Sequence, residues 1–346
     1  MEPLSESERE GLTMTTFRYN FHLFDGAVNT NVTTQTSPND LSPEMKVFYD
    51  KVLLRSATPE LVYDQFAQKK PIPGGNGKTI EFRKFGTLGK LLKPLTEGVT
   101  PDGQKYSVSK IEATIAQYGG YITMSDLLNL TAFDNNQAEV LKMLGDQAGR
   151  TSDTITREVV CAGTAVIYAG GKTSRSALTN ADKLTIGDIK KAVRQLKRHN
   201  CPTINGDYIA IVHPDTTYDL MNDSEWVEAQ KYTHAEKIYN GEIGKMFGVR
   251  FVESTEAKIW GKAGAENVPV YGTIVIGADA YGVTSINGRG IETIVKQLGS
   301  SGVADALNQR SSVGWKMNKA AEILDNERMV RIEHGCSLGD ASETGN

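Results

Sequence analysis

The sequence predicts an α+β protein of 346 residues, long enough for about two domains. Three observations support this prediction. A strand-like pair spans residues 78–115 and encloses a long loop, and one helical stripe begins near residue 135. From residue 181 onward, strands alternate with helices before the chain closes in further strands.

Charge and cysteine content argue against several classes of protein. A net charge of −4 does not suit a surface that is basic throughout, although a local basic patch remains open. The three cysteines, Cys161, Cys201 and Cys336, are too few and too far apart for a disulfide framework and favour a reducing compartment. Apolar runs fall far short of the ~20 residues that span a bilayer, and the acidic start does not resemble a secretory signal. We therefore expect synthesis in the cytosol and no membrane partner.

Residues 1–40 are polar and lack periodicity, which predicts an arm that is poorly ordered on its own. Its isolated aromatic residues are expected to dock on a partner or on the body of the chain. A short helix is predicted to follow, because Ser42 can cap it and Pro43 suits the first helical position.

The stretch PIPGGNGKTIEFRKF, residues 71–85, contains the Gly-Lys-Thr ending of a phosphate-binding loop. Such a loop requires glycine at the position of Ile72 and a helix immediately after the threonine. Residues 79–83 instead alternate with period two. The sequence therefore predicts a turn into a strand and no nucleotide hydrolysis.

The strand from Lys78 to Phe85 is predicted to pair with a returning strand from Tyr106 to Ile115. The apolar positions change phase between residues 108 and 111, which predicts a β-bulge there. The intervening tip is rich in leucine and could fold over its own core or lie against another subunit. We favour contact with another subunit and assign it to one loop-tip set: Leu88, Leu91, Leu92, Pro94, Leu95 and Glu97.

The longest helical pattern begins near residue 135 and is predicted to run to about Tyr168. Asp153 and Arg157 are predicted to lie among the polar residues outside its apolar stripe. A helix with one stripe is expected to act as a strut beneath a sheet. The core positions of the stripe are predicted to include Leu141, Leu144, Ile155 and Val159.

The second half of the chain shows local signals for several elements. Thr185 and Asp188 predict the capped start of a helix, and His213-Pro214 predicts the passage from a buried strand, Tyr208–Val212, into another helix. The last ten residues are predicted to form a loose tail. Further strands are predicted at Val249–Val252, Thr273–Ile276, Ile291–Leu298, Val313–Ala321 and Met329–Glu333.

No residue pattern predicts catalysis. His213 and Asp215 lie at a strand end, but no nucleophile can be placed beside them, and local hydrogen bonding of the imidazole is the simpler interpretation. Histidines, cysteines and carboxylates lack metal-binding spacing, so we predict no catalytic residue, no cofactor and no metal. Five basic residues on one helix form either a solvated face or a contact for nucleic-acid phosphates or a neighbouring subunit: Lys190, Lys191, Arg194, Lys197 and Arg198.

The order of these features and several stretches of sequence resemble the major capsid proteins of tailed bacteriophages with the Hong Kong 97-type fold, in particular the N-four-like branch. Over residues 41–170 the resemblance rests on LSPEMKVFYDKVLLRSATPELVYDQFAQ, KTIEFRKFGTLGKLLKPLTEGVTPDGQ, QYGGYITMSDLLNLTAFDNN and GDQAGRTSDTITREVVCAGT. It continues more loosely to residue 335 in IVHPDTTYDL, GKMFGVRFVES and IVIGADAYGV.

The resemblance implies five segments of the chain. They are an N-terminal arm (1–70), an extended loop (71–120), a peripheral domain (121–180 and 291–335) with a long spine helix, an axial domain (181–290) and a C-terminal tail (336–346). In this family the extended loop lies over the adjacent subunit. Some relatives cross-link a loop lysine to a neighbour's asparagine. Lys90, Lys93 and Asn318 have the required residue types, but no motif fixes a pairing.

The resemblance also implies a structural role. Hexamers and pentamers of the chain would form an icosahedral head that encloses double-stranded DNA without sequence-specific binding. Scaffolding, portal and decoration proteins would be further partners, and the protein would reside in the virion after assembly in the host cytoplasm. Two alternatives remain open: an encapsulin-like compartment that encloses a cargo enzyme, and an α/β hydrolase or transferase that uses His213 and Asp215.

Overall fold

The computed structural model describes residues 53, 62–131, 136–231, 244–285, 290–300 and 305–346, apart from residues 74, 76, 87, 101, 341, 343 and 344. The predicted arm and the helix predicted after Ser42 lie outside the described residues, except that Leu53 is described. Leu53 is fully buried and belongs to a core cluster with Met124 and Trp315.

The strands and helices of the described residues are numbered in chain order. The strands are β1 (Gln68–Lys69), β2 (Thr79–Phe85), β3 (Val108–Thr114), β4 (Ala116–Ser125), β5 (Val166–Tyr168), β6 (Tyr208–Val212), β7 (Lys245–Met246), β8 (Val249–Glu253), β9 (Ile259–Trp260), β10 (Val270–Ile276), β11 (Tyr281–Thr284), β12 (Ile291–Lys296), β13 (Arg310–Ile323) and β14 (Met329–His334). The α-helices are α1 (Asp126–Thr131), α2 (Asn136–Cys161), α3 (Ile186–Arg198), α4 (Pro214–Met221) and α5 (Ser224–Lys231).

Three sheets organise this part of the chain. Strands β2 and β3 pair with each other as an antiparallel hairpin. A five-stranded sheet is built around the long strand β13, which pairs with β4, β12 and β11, while β1 pairs with β11. A seven-stranded sheet has the order β5-β14-β10-β6-β8-β7, with β9 also paired to β10. This combination of helices and mixed sheets is the α+β class that the sequence predicts.

Helix α2 lies along the five-stranded sheet and packs chiefly on β13. Leu141 and Leu144 of α2 are buried in the same cluster as Val313 and Trp315, whereas Ile155 and Val159 are half-buried. The indole Nε1 of Trp315 also donates a hydrogen bond of 3.0 Å to Gln147 on the helix. The helix is therefore fixed to the sheet by apolar packing along its first half.

Helix α2 ends seven residues earlier than the sequence pattern predicts, at Cys161 and not near Tyr168. Residues 166–168 form β5, which is parallel to β14. Arg331 of β14 donates hydrogen bonds to the carbonyl oxygens of Cys161 and Gly163. A side chain on residue 331 therefore satisfies carbonyls that another helical turn would otherwise have used.

Two polar residues of α2 were predicted wrongly, whereas Gln147, Arg150 and Glu158 are exposed. Asp153 and Arg157 are buried, not outside the stripe. Arg157 donates to the carbonyl oxygen of Glu256 at 2.7 Å and to the carboxylate of Glu158 at 2.7 Å. Asp153 accepts two backbone hydrogen bonds from residues 62 and 63. Both side chains are buried because distant parts of the chain supply their partners.

The structure of the hairpin confirms the two predicted strands and the predicted turn, but it contains no bulge between residues 108 and 111. Gly77 has a φ of +86°, which glycine adopts without strain, and the chain then enters β2. The register is continuous from Thr79 opposite Thr114 to Phe85 opposite Val108. The apolar positions change phase because the two ends of the hairpin present opposite faces, and no extra residue is needed to explain the change.

The local signals of the second half are confirmed. Thr185 Oγ1 accepts a hydrogen bond from the Asp188 N–H at 3.3 Å and caps α3. All five residues of β6 are buried, and α4 begins with Pro214 after a cap by His213. Each of the further strands occurs at its predicted place, as β8, β10, β12, β13 and β14.

The seven-stranded sheet joins strands from the segments predicted as peripheral and axial domains, and the division into these domains stays a prediction. Strand β14 pairs with β10 and β5, so residues 329–334 and 166–168 belong to the sheet that contains the strands predicted for the axial domain. Strand β11, predicted as axial, pairs instead with β13.

The tail is not loose where the structure describes it. Cys336 is fully buried, and the Ser337 N–H donates to the carboxylate of Asp219 at 2.8 Å. Asn346 accepts a hydrogen bond of 2.9 Å from the Ile259 N–H. The prediction failed because composition alone does not show which backbone groups remain available to a polar segment.

Candidate functional site

The candidate site is the projecting hairpin, β2 and β3 with the tip between them. At its base, Phe82 is buried in a cluster with Ile80 and Ala113 of the hairpin and Ala320 of β13. The Phe82 ring lies against Gly282, where an added Cβ would come within 2.8 Å of two ring carbons. The base is therefore held by the chain's own core.

An ion pair supports the same end of the hairpin. Lys84 Nζ lies 2.7 Å from Asp325 Oδ2, and the lysine side chain is about half exposed while the aspartate is nearly buried. Desolvation opposes ionisation of Asp325, but the hydrogen bond from Lys84 lowers its pKa overall. The pair joins β2 to the residues between β13 and β14.

Beyond this point the apolar side chains change face. Phe85 and Val108 are opposite each other in the ladder and are both exposed. Phe85 lies an odd number of residues from Phe82 on β2, and Val108 lies an odd number from Ile111 on β3. Because Phe82 and Ile111 face the core and successive residues of a strand point to opposite faces, Phe85 and Val108 face away from it. Tyr106 is also exposed, and its ring centroid lies 6.5 Å from that of Phe85.

The leucines of the tip have no cover within the described chain. Leu91, Leu92 and Leu95 are 80%, 86% and 75% exposed, and Leu88 is also exposed. Pro94 and Glu97, the remaining members of the loop-tip set, are exposed as well. Residues 88–100 contain no helix and no strand. Together with Phe85, Tyr106 and Val108, these leucines make the distal end of the hairpin an apolar surface in contact with solvent.

Sequence reasoning missed the three distal residues Phe85, Tyr106 and Val108 as part of this surface. The signal was present in the phase change between residues 108 and 111, which was interpreted as a bulge. In the structure the phase change marks the point where one face stops being covered by the core and the other face becomes the apolar one.

His213 and Asp215 form a local cap. The Nδ1 atom of His213 accepts a hydrogen bond of 3.2 Å from the Asp215 N–H, which assigns the imidazole to the start of α4. The carboxylate of Asp215 accepts one from the hydroxyl of Tyr271 at 3.1 Å. This arrangement matches the local interpretation of His213 and leaves the enzyme alternative without geometric support.

Two of the five basic residues on α3 form ion pairs with acidic side chains. Lys190 Nζ lies 2.5 Å from Glu225, and Lys191 Nζ lies 2.8 Å from Asp188. Arg194, Lys197 and Arg198 are exposed. The two ion pairs favour a solvated face at the N-terminal half of the helix.

The described ranges contain neither a metal-binding cluster nor a helix that could span a membrane. No group of three or more His, Cys, Asp or Glu side chains there could hold a metal ion. None of the helices described combines the length and apolar character needed to cross a bilayer.

One protein family matches this chain over most of its strands and helices. The phage capsid protein family matches residues 108–332, more than half of the chain, from the returning strand of the hairpin to β14. Comparison with curated proteins by sequence gives no match.

Solved structures share the fold at low sequence identity. The capsid of Ralstonia phage GP4 is similar with a TM-score of 0.64 and 13% identity, over 78% of this chain and 87% of that chain. The capsid of cyanophage P-SCSP1u gives 0.61 and 15% identity, over 80% and 89% of the two chains. The capsid of cyanophage Pam1 gives 0.60 and 14% identity, over 91% and 100%.

Proposed function

Because the chain belongs to the phage capsid protein family, we propose that its copies assemble as hexamers and pentamers into an icosahedral head that encloses double-stranded DNA. The fold is the Hong Kong 97 type, and the role of the chain is that of a structural major capsid protein. The N-four-like branch stays a prediction. The proposal extends to location in the virion after assembly in the host cytoplasm, and to scaffolding, portal and decoration proteins as partners.

The observation that carries the assembly proposal is the uncovered tip of the hairpin. Covering a leucine side chain contributes on the order of 1.5–3 kcal/mol, and three leucines at the tip are at least 75% exposed. A single copy does not gain this free energy, because the described residues of the same chain leave these leucines exposed. A second copy can cover the tip, and many repeated contacts of modest strength make a closed shell stable.

The test replaces Leu91 and Leu92 by Asp in the full chain. We expect folded subunits that form no closed shells, because two charges cannot be buried in an apolar contact without a large desolvation cost. The measurement is electron microscopy together with sedimentation, under conditions in which the unmodified chain forms shells.

The matched control is Thr96→Asp with Thr100→Asp, which adds the same two charges to exposed positions of the same loop. We expect this control to assemble. Normal shells from the leucine variant would contradict the proposal, and equal failure of both variants would show that charge alone blocks assembly.

The encapsulin-like alternative is separated by the contents of the particles. A capsid purified from infected cells carries DNA in an amount that fills its interior, whereas a cargo compartment carries protein. Particles filled with protein and free of DNA would favour that alternative. No observation on the described residues favours the enzyme alternative.

A further inference from the structure

The chain segment that precedes the hairpin is held to helix α2 by a buried cluster of charged and polar groups, here called the latch cluster: Asp64, Ser152, Asp153, Thr156 and Lys319. Asp153 Oδ1 accepts hydrogen bonds from the N–H groups of Val62 and Tyr63 at 2.9 and 2.8 Å. These two bonds tie residues 62–65, a short 3₁₀ turn, to the middle of the helix.

One lysine faces two carboxylates in this cluster. Lys319 Nζ donates to both oxygens of Asp64, at 2.7 and 2.6 Å, and to the carbonyl oxygen and hydroxyl of Ser152, each at 2.7 Å. Asp64 also accepts from the Thr156 hydroxyl at 2.6 Å. Its hydrogen bonds go to Asp64 and Ser152, and its charge only partly offsets the charge of a second ionised carboxylate, that of Asp153.

The Asp153 carboxyl is only partly compensated, by two backbone hydrogen bonds to one of its oxygens and by the nearby charge of Lys319. The Asp153 side chain is fully buried, and its Oδ2 atom has no hydrogen-bond partner in the described structure. An ionised carboxylate in this position is disfavoured both by lost hydration and by the neighbouring charge of Asp64. The pKa of Asp153 is raised to about 7, chiefly by desolvation on burial and also by the charge of Asp64. The hydrogen bonds from the Tyr63 and Val62 N–H groups and the charge of Lys319 act in the opposite direction.

The remaining titratable groups around Asp153 do not change this balance. Tyr63 and Tyr281 face it from residues 62–65 and from β11, and burial raises the pKa of both hydroxyls well above its ordinary value. Arg157, one turn further along α2, is engaged by Glu158 and Glu256, and Lys69 lies near Lys319 on the far side. A cavity of about 430 Å³ borders Asp64, Ser152 and Lys319 and gives water a route to the cluster.

We propose that Asp153 is a proton-operated latch: protonating its carboxyl tightens the docking of residues 62–65 on helix α2, and ionising it loosens that docking. The docked segment precedes β1 and the hairpin, so the same proton sets how firmly residues 62–65 are held to helix α2 at this point of the chain. This inference concerns a single copy of the chain and does not depend on assembly.

The sign follows from the two protonation states. When residues 62–65 are undocked, the Asp153 carboxyl is in contact with water and its pKa is near the ordinary value of 3.8. When they are docked, its pKa is about 7. The docked state therefore binds the proton more tightly, and docking is strongest at low pH. The equilibrium constant for docking falls by up to about tenfold per pH unit as the pH rises from 3.8 to about 7. Above about pH 7 it does not change further.

The test measures hydrogen exchange of the Val62 and Tyr63 amides in the full chain between pH 5 and 9, with each rate divided by its intrinsic rate at that pH. For the unmodified chain we expect protection factors that are constant above about pH 7 and rise on acidification below it. In Asp153→Asn the amide oxygen still accepts both hydrogen bonds but no proton is exchanged, so we expect protection that does not vary with pH.

Two further variants make the result specific. Asp146→Asn changes another carboxylate of the same helix and is expected to keep the profile of the unmodified chain. Asp64→Asn removes the neighbouring charge. This variant is expected to lower the pH below which the protection factors begin to rise. A flat profile in the unmodified chain, an unchanged slope in Asp153→Asn or loss of the slope in Asp146→Asn would each overturn the proposal. If Asp153→Asn does not fold, the proposal is decided by two other results: the dependence of protection on pH in the unmodified chain, and the pH at which protection begins to rise in Asp64→Asn.

Discussion

The two ends of the hairpin use apolar residues in opposite ways. At the base, Ile80 and Phe82 are buried among residues of the same chain, whereas at the tip Leu91 and Leu92 are exposed. Both ends carry large apolar residues in the sequence. The difference teaches that the chain's own core covers the base of the hairpin, while the distal surface has no cover among the described residues and is the surface proposed to contact another copy.

The largest effect on the free energy of unfolding is expected at the base. Phe82→Ala removes a ring that is packed against Gly282 and Ala320, and such a change typically costs about 3–5 kcal/mol. The measurement is chemical denaturation of the full chain. A loss below about 1 kcal/mol would show that the base is not the anchor and would break the comparison.

A smaller effect is expected from the ion pair between base and body. Lys84→Ala removes the partner of Asp325, and because the lysine is about half exposed the pair is expected to contribute less than about 1 kcal/mol. The loss should shrink further at high salt, since screening weakens the pair in the unmodified chain. Denaturation at low and high salt tests this, with Lys105→Ala as a control at an exposed position of the loop. Equal losses at both salt concentrations would mean that the lysine acts through packing.

The smallest effect on subunit stability is expected at the tip. Leu92→Ala should change the free energy of unfolding by no more than about 0.5 kcal/mol, because the side chain is 86% exposed. The same variant should raise the protein concentration needed for shell formation. Measuring both quantities on one preparation sharpens the comparison with Phe82→Ala. A tip variant that destabilises the subunit itself would mean that the tip packs on its own chain.

Much of the architecture could be predicted from sequence. The hairpin strands, the caps at Thr185 and His213 and the buried strand β6 each depend on residues within a few positions of one another, so their signals are complete in a short window. The exposed leucines were also predictable, because a long loop of that composition has no nearby core to cover it.

The candidate surface was only partly predictable. The loop-tip set follows from composition, but the addition of Phe85, Tyr106 and Val108 required the strand register, which gives each residue its face. A change of phase in a sequence is compatible with a bulge or with a change of covered face. The continuous pairing register excludes the bulge, and the position of the body shows which face is covered.

The sequence by itself determined the features whose causes are local: the class of fold, the paired strands, the helix caps and the leucine-rich tip. The tertiary structure decided where helix α2 ends, which sheet β14 joins and why Asp153 is buried. The physical reason is distance along the chain. Asp153 is held by groups 90 and 91 residues away, and Asp64 meets Lys319 across 255 residues, so no local pattern can show that these polar groups will be desolvated together.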